Sequence, residues 1–517
     1  MNVDRRDFLS GCLGAVTLSA LSRELRSNPV LAATIATDLA MDPLRPQFHL
    51  LPTKNWMNDP NGPIYWKGNY HMFYQYNPSG AYWGNMHWGH AISIDMVRWR
   101  HLPVALSPTP GGPDADGCFT GTGLVQDGKV IAMYTGVHAA PEDQATIKDG
   151  VQSLREAQCL ATSEDPELKT WTKLPEPVIA SPPVGMQVNG FRDPSPWRQG
   201  DWWYAVLGSG IEGQGGTVLL YKSKDLRNWD YVHILAGRNQ NGAHPLSPYD
   251  PWEVWECPEF FALRDRHVLI CSTLGKAYWQ SGRLDEETMT FHPEQSGILD
   301  YGSFYAPKTQ LDKSGNRILW GWIKETRLLA EYEAAGWAGL MSLPRVLTLD
   351  TDGRLRMRVA AEVNGLRMHK QALNVTAEEE SNQRQINALR VERCSGEILC
   401  TARRTSEPFE LVLHDSAENP SPYLTVSYDP RYPGQVSIDG RPVPVALSDG
   451  ENVEIHLYID SSVVEALVNN QVAWTKRFYY EGKTTQDLCI RWIGKTTNIV
   501  TLIVWQMSPI SADRLTS

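Results

Sequence analysis

A repeated short motif constrains this chain more than anything else in it. Ser93-Ile94-Asp95-Met96-Val97-Arg98-Trp99 has the pattern S-x-D-x-x-x-W, and Ser223-Lys224-Asp225-Leu226-Arg227-Asn228-Trp229 repeats it. Ser163-Glu164-Asp165 reaches Trp171 with two extra residues, and Asp285 reaches Phe291 in a weaker copy. The aspartates at 95, 165, 225 and 285 stand 60 to 70 residues apart, enough for one four-stranded antiparallel sheet per unit. Between the copies, aromatic and β-branched runs alternate with Gly, Pro, Asn and Asp turns. No long stretch places apolar residues at helical spacing. Repeated sheets of this size without helices predict a β-propeller. Four visible units and one continuing to about residue 350 give five blades over 45–355.

The same repeat ranks the carboxylates. Asp59 lies 40 residues before Trp99, Asp193 lies 36 before Trp229, and Glu256 lies 35 before Phe291. The three acids therefore fall early in blades one, three and four. If the first strand of each blade lines the channel, all three point into one funnel. Converging carboxylates repel and shift one another's pKa, a pattern that favours chemistry over structure. Asp59 sits in the turn-rich Trp56-Met57-Asn58-Asp59-Pro60-Asn61-Gly62, where closing a β-turn is its simplest role. Asp193 follows Arg192, which could hold it ionised, bind substrate, or form a surface ion pair. Glu256 lies between Trp255 and Cys257, an apolar setting suited to a general acid. Glu253 and Glu259 are nearby alternatives for that role.

These stretches resemble glycoside hydrolase family 32, the invertases, levanases and inulinases. The resemblance rests on Trp56 to Gly62, on Arg192-Asp193-Pro194 and on Glu256-Cys257-Pro258. It is supported by Phe73 to Pro78, Trp83-Gly84, Trp88-Gly89-His90, Phe119-Thr120-Gly121-Thr122, Phe304-Tyr305-Ala306-Pro307 and Ser342-Leu343-Pro344-Arg345, all in family order. It implies a retaining, exo-acting β-fructofuranosidase. Asp59 would be the nucleophile, Glu256 the acid/base, and Asp193 the transition-state stabiliser that holds fructose hydroxyls. Asn58, Gln75, Trp83, Phe119, Thr120 and Arg192 would line the fructose subsite, with Trp337 in its wall. Thr120 replaces the family's usual Ser and keeps the hydroxyl. The implied substrate is sucrose, a fructo-oligosaccharide or a fructan. Loops 107–117, 138–152 and 236–252 would choose among them. Transfer to a sugar acceptor, an inverting glycosidase on a similar propeller, and a non-catalytic fructan-binding protein are the alternative readings. No cofactor or metal is implied: His87 and His90 lack a partnering carboxylate pattern, and no phosphate-cradling Gly loop occurs.

Composition narrows the class. Lys and Arg number 48 against 59 Asp and Glu, for a net charge of -11 and no basic stripe. That excludes nucleic acid and anionic membrane surfaces as expected partners. Arg5-Arg6-Asp7-Phe8-Leu9, the apolar run to Leu21 and the small residues near Ala33 read as a twin-arginine export signal over 1–33. The chain is therefore expected in the periplasm or outside the cell. Leu9-Ser10-Gly11-Cys12 resembles a lipoprotein box, but it lies at the start of the apolar run rather than its end. Eight cysteines show no zinc spacing, and Cys394 and Cys400 could bridge a hairpin. After the polar break Glu378-Glu379-Glu380-Ser381, strand-like runs from 409 onward predict a β-sandwich over 360–517. Its stretch His456 to Glu465 resembles the family's second domain, with Asp460 and Glu465 most simply solvated or hairpin residues.

Overall fold

The repeated aspartate is a turn. The computed structural model describes residues 39–148, 153–238, 247–248, 250–415, 422–479 and 487–515, so the expected export signal lies outside the described residues. Asp95 Oδ1 accepts hydrogen bonds from the backbone N–H groups of Val97 and Arg98, at 3.0 and 2.8 Å. Asp225 holds Arg227 and Asn228 in the same way, Asp285 holds Glu287 and Thr288, and Asp165 holds Glu167 and Lys169. The tryptophan then closes the turn. The indole N–H groups of Trp99, Trp171 and Trp229 donate to the carbonyls of Met96, Leu168 and Leu226, which have φ of 63, 52 and 63°. Each copy joins the third strand of a blade to its fourth, which is why it recurs once in each of the first four blades.

The architecture is a five-bladed β-propeller followed by a β-sandwich. The innermost strands are Asn55–Trp66, Gly117–Gln126, Val188–Gln199, Glu256–Leu263 and Phe304–Leu311, each the first of its blade. Neighbouring innermost strands touch all the way round, and the fifth touches the first. Residues 337–341 seal the ring. Trp337–Ala338 pairs in parallel with Asn55 and Trp56 of blade one, while Leu340–Met341 pairs with Trp322 and Ile323 of blade five. Gly339 makes the crossing with φ +77°, and a Cβ there would stand 1.9 Å from the Met57 carbonyl oxygen. Only glycine fits that approach.

Two six-stranded sheets make the second unit, and their facing side chains, among them Ile398, Leu411, Val426, Ile455 and Trp474, form one apolar core. The polar stretch at 378–381 does not break the chain. It opens the helix Glu379–Ala388, which buries Ile386 in that core. Cys400 is a buried free thiol, so no bridge joins it to Cys394.

Asp460 and Glu465 are not solvated. Both are fully buried between propeller and sandwich. Asp460 accepts from the backbone N–H groups of Gln47, Phe48 and His49 and pairs with the His49 ring at 2.8 Å. Glu465 takes the other His49 nitrogen at 2.9 Å, the Leu343 N–H at 2.6 Å and the Arg345 guanidinium. Arg345 also grips Asp300 at 3.0 Å, and Asp300 in turn accepts from the Thr475 N–H at 2.8 Å. Strand polarity hides this: Asp460 ends Val453–Asp460 and Glu465 lies in Val463–Val468, beside residues that are apolar and equally buried. Charges so buried hold only if every partner is present.

Burial opposes a charge on His49, but its bonds to Asp460 and Glu465 outweigh burial and raise its pKa from 6.5 to about 9. The folded value exceeds the unfolded one. This stabilisation is therefore complete below 6.5 and is lost as pH rises to about 9. The denaturation midpoint of the parent is expected to fall across that window, and that of His49→Gln to stay flatter. Parallel slopes would place the charge elsewhere.

Candidate active site

All five innermost strands bulge at one level. The ladder shifts between Met57 and Pro60, Cys118 and Gly121, Arg192 and Ser195, Glu256 and Glu259, and Tyr305 and Lys308. At each shift two residues face one on the neighbouring strand, which turns side chains out of the normal alternation. Asp193, Cys257 and Ala306, the first bulged residues of blades three to five, have φ of 62, 49 and 50°. Each is followed by a proline, tolerated because a bulged position owes the ladder no N–H. The near-equivalence of the three acids read from the repeat resolves into three successive places. Glu256 is the last paired residue before its bulge, Asp193 the first bulged residue, and Asp59 the second.

The bulge delivers each acid to a different set of donors. Asp59 Oδ1 accepts from Asn58 Nδ2 at 2.9 Å, and its Oδ2 accepts from Thr120 Oγ1 at 2.7 Å and from the Cys257 thiol at 3.4 Å. Asn58 is itself fixed by the Trp56 indole N–H at 2.7 Å. Glu256 Oε1 accepts from Arg192 Nη2 at 3.2 Å, and its Oε2 accepts from the Tyr305 hydroxyl at 2.6 Å. Arg192 reaches Glu256 from an anchor on Glu156, a buried carboxylate of blade two that also accepts from Thr146 and from the Phe191 N–H. Asp193 Oδ2 accepts from the Cys257 N–H at 2.8 Å, while its own N–H donates to Thr135 Oγ1.

Burial is the main force on the acids. It raises the Asp59 carboxyl, against the Asn58 and Thr120 hydrogen bonds, and the charge of Glu256 raises it further. Burial lifts Asp193 to about 7, with Arg192 and Lys308 opposing and Asp59 adding to the rise. Burial and the charges of Asp193 and Asp59 also hold the Cys257 thiol well above its usual value, so it keeps the proton it gives Asp59. Burial works against the charge on Arg192, but Glu156, Glu256 and Asp193 together raise its pKa.

Of the residues expected to line the subsite, Asn58, Thr120 and Arg192 touch the acids directly. Trp83 and Phe119 meet edge to face, 5.9 Å apart, and share an apolar wall with Trp56, Met86, Tyr305 and Trp322. Gln75 stands opposite the Asn58–Asp59 bulge, almost wholly buried, and its amide donates to the Cys118 carbonyl at 3.0 Å. Trp337 does not reach the wall. It is fully buried, its indole N–H donates to Asp42, and the guanidinium of Arg327 lies 4.6 Å from its ring centroid. Its place is set by the ring-closing strand, where Ala338 faces the site cluster in its stead. His87 bonds the Asn85 carbonyl and His90 pairs with His71 in blade one, so they do not act as a pair. Among the described residues no three His, Cys, Asp or Glu side chains are grouped to hold a metal.

Sequence reasoning missed Tyr305, Cys257, Glu156 and Lys308. Tyr305 could have been found, since it holds the pre-bulge place shared by Arg192 and Glu256. Glu156 lies on a third strand, Ser153–Ser163, outside any repeat phase.

The chain matches the Glycosyl hydrolases family 32 N-terminal domain over residues 49–358 and the family 32 C-terminal domain over 362–506. It belongs to glycoside hydrolase family 32. It is 34% identical over 462 residues to a sucrose-6-phosphate hydrolase of Escherichia coli, spanning 84% of this chain and 89% of that one. A raffinose invertase of the same organism is 34% identical over 465 residues, spanning 85% and 90%. Among solved structures, a Bombyx mori GH32 beta-fructofuranosidase superposes with TM-score 0.73 at 27% identity, covering 95% of this chain and 99% of that one. Fructan 1-exohydrolase IIa of Cichorium intybus superposes with TM-score 0.73 at 25% identity, covering 90% and 98%. The family 32 chain is thus a glycoside hydrolase.

Its acids are buried at a cost in stability. Asp193 titrates near 7 in the fold against an ordinary 3.8, so the fold prefers it protonated and loses stability as pH rises across that span. Asp193→Asn is expected to gain on the order of 1–2 kcal/mol above that window, shrinking to nothing below it, while glycoside hydrolysis falls. Urea denaturation at both ends of the window measures the difference. An unchanged or lowered stability at high pH would contradict the burial account.

Proposed function

We propose that this chain is a retaining, exo-acting β-fructofuranosidase that removes terminal fructosyl units from sucrose or fructans. The observation that carries the reading is the pairing of two differently supported carboxyl groups at one bulge level. Asp59 is held by three donors, including the hydroxyl of Thr120 and the thiol of Cys257, as suits a carboxylate that attacks. Glu256 lies between a guanidinium and a phenol at the funnel wall, in the place the family motif gives to the acid/base.

In this reading Asp59 attacks the anomeric C2 of the fructosyl unit while Glu256 protonates the departing oxygen. The C2–O bond to the leaving sugar breaks as the ester to Asp59 forms. Glu256, now ionised, takes a proton from water, which attacks C2 and releases Asp59. Asp193 holds ring hydroxyls through bonds that strengthen as positive charge develops on the ring, while Arg192 lines the fructose subsite. Exo action fits a channel that ends below the acids, where Glu259 and Lys308 form a buried ion pair at 3.1 Å. Such a dead end accepts a chain terminus and not a through-running polymer. The substrates named for the relatives, sucrose 6-phosphate, raffinose and fructan, share a terminal fructosyl group. Export through the twin-arginine route belongs to the same proposal and suits an enzyme that meets its sugar outside the cytoplasm.

NMR of the mature protein acting on sucrose is expected to record β-fructose first, with the α form growing in later by mutarotation. Inverted fructose as first product would rule out a covalent step at Asp59. Glu256→Gln is expected to lower kcat by about 10²–10⁴-fold on sucrose.

Tyr305 is a positioning residue in this scheme. Tyr305→Phe removes one hydrogen bond to a charged partner, so kcat should fall about tenfold or more with KM little changed. A rise in KM alone would assign Tyr305 to substrate binding.

A further inference from the structure

Between the second strand of blade five, Arg317–Ile323, and the ring-closing Trp337–Ala338, the chain inserts a short helix, Leu329–Ala335. Its ends are built locally. Glu331 Oε2 accepts the Leu328 N–H at 2.8 Å, and Gly336, with φ 75°, turns its N–H back to the carbonyls of Tyr332 and Glu333. No residue of the helix is buried. A short helix in water normally holds by burying one face, so an uncovered one calls for another reason.

Strand direction puts this helix on the funnel rim. The innermost strand of blade five starts at the funnel with Phe304 and Tyr305 and ends far from it at Leu311. Arg317–Ile323 runs antiparallel to it and so returns to the funnel, where the helix follows. Tyr332 and Ala335, three residues apart, share the inner face. Ala335 packs on the core around Met57, Trp320 and Trp337. The Tyr332 ring meets that of Trp56, 5.9 Å between centroids at 52°, and joins the apolar wall beside the acids. The same side of the helix continues outward through Leu329 and Leu328, 38% and 73% exposed.

Tyr332 differs from its neighbours in that wall at its polar end. Trp56 gives its indole N–H to Asn58, and Tyr305 gives its hydroxyl to Glu256. The Tyr332 ring is partly exposed, and its hydroxyl is neither bonded to a described residue nor sealed inside the protein. It is a donor and acceptor open to a ligand.

The side of the funnel identifies that ligand. Glu256 protonates the leaving oxygen, and its Oε2 faces Tyr305 of blade five. The sugar on that oxygen therefore departs over blade five, beside the helix, while the fructosyl ring stays below among Asp59, Thr120 and Asp193. A sugar ring combines apolar C–H faces with hydroxyls, and an aromatic ring with a free hydroxyl matches both. We propose that Tyr332 is a specificity-determining residue that binds the sugar next to the one removed. It favours leaving groups that carry a sugar ring over small alcohols. The inference rests on the β-fructofuranosidase reading and adds to it the side of the rim over which the remaining substrate runs.

A purely structural Tyr332 would act through Trp56, Asn58 and Asp59, and its loss would slow every fructoside alike. The test is kcat and KM of the full chain on methyl β-D-fructofuranoside and on whichever of sucrose and 1-kestose the parent cleaves faster. These substrates share the fructosyl unit and differ in the leaving group. Tyr332→Phe keeps the ring on Trp56 and should lower kcat/KM on the saccharide about threefold. Tyr332→Ala removes the ring as well and should lower it about tenfold. Neither should change kcat/KM on the methyl fructoside or competitive inhibition by fructose. Equal losses on both substrates, or weakened fructose inhibition, would overturn the specificity role and leave the proposed activity standing. Saccharide kinetics unchanged in both variants would overturn it too. A parent that cleaves none of the three compounds would overturn the β-fructofuranosidase reading and this inference with it.

Discussion

One backbone irregularity, repeated five times, sets up the working end of this propeller. A regular innermost strand would alternate its side chains between the two faces of its blade and present the channel with one side chain in two. The bulge places two residues where the neighbouring strand has one, so adjacent residues of the same strand can serve the funnel. Asn58 and Asp59, the two bulged residues of blade one, meet side by side for that reason, and Asp193, the first bulged residue of blade three, joins the paired Arg192. The prolines after Asp193, Cys257 and Ala306 fit the same account, because a position already outside the ladder loses nothing to a missing N–H.

Converging acids demand compensation, and the chain supplies it in depth. Glu156 fixes Arg192, Arg192 reaches Glu256, and the Lys308–Glu259 pair lies below. Neither ion pair touches Asp193 through its carboxylate, yet both cations oppose the burial that raises it. The carboxyl remains near neutrality as a result, poised rather than settled in one form. Such a balance is hard to reach with a single neighbouring charge. One cation in direct contact would hold the acid fully ionised, and none would leave it protonated.

How much of this was legible in the sequence follows from what kind of information each residue carries. The aspartate turns are local: Asp95 bonds residues two and three places on, so a short window of sequence reveals them. Counting from those turns located Asp59, Asp193 and Glu256, because a repeat converts local signals into long-range placement. Glu156 has no such anchor and became visible only when blade two was laid against blade three. Trp337 was misplaced for a related reason. Its neighbours Ala338 and Gly339 border the site, but the ring-closing strand turns alternate residues to opposite sides, and Trp337 goes inward among arginines. Asp460 and Glu465 look like hairpin residues because Asp460-Ser461-Ser462 is polar. Their partners His49, Asp300 and Arg345 are far away in sequence, and charge pairing across such separations leaves no local pattern.

That interface also explains why a second domain without an acid constellation is built into the same chain. Asp300 lies just before the innermost strand of blade five, and its carboxylate is held by Arg345 from the propeller and by Thr475 from the sandwich. The sandwich edge extends to the same place, with the Tyr301 N–H donating to Ala473 O and the Ser303 N–H to Thr475 O. Phe304–Leu311 begins at once, and its second residue is Tyr305, whose hydroxyl meets Glu256. The sandwich thus pins the entry of the strand that carries a partner of the proposed acid. In a propeller the last blade is the one most exposed to opening, since ring closure depends on it. Buried charges between Arg345, Asp300 and Glu465 make that docking all or none, because removing any one leaves another unpaired in the interior. Precision at the funnel is therefore obtained from a domain that lends no acid to it.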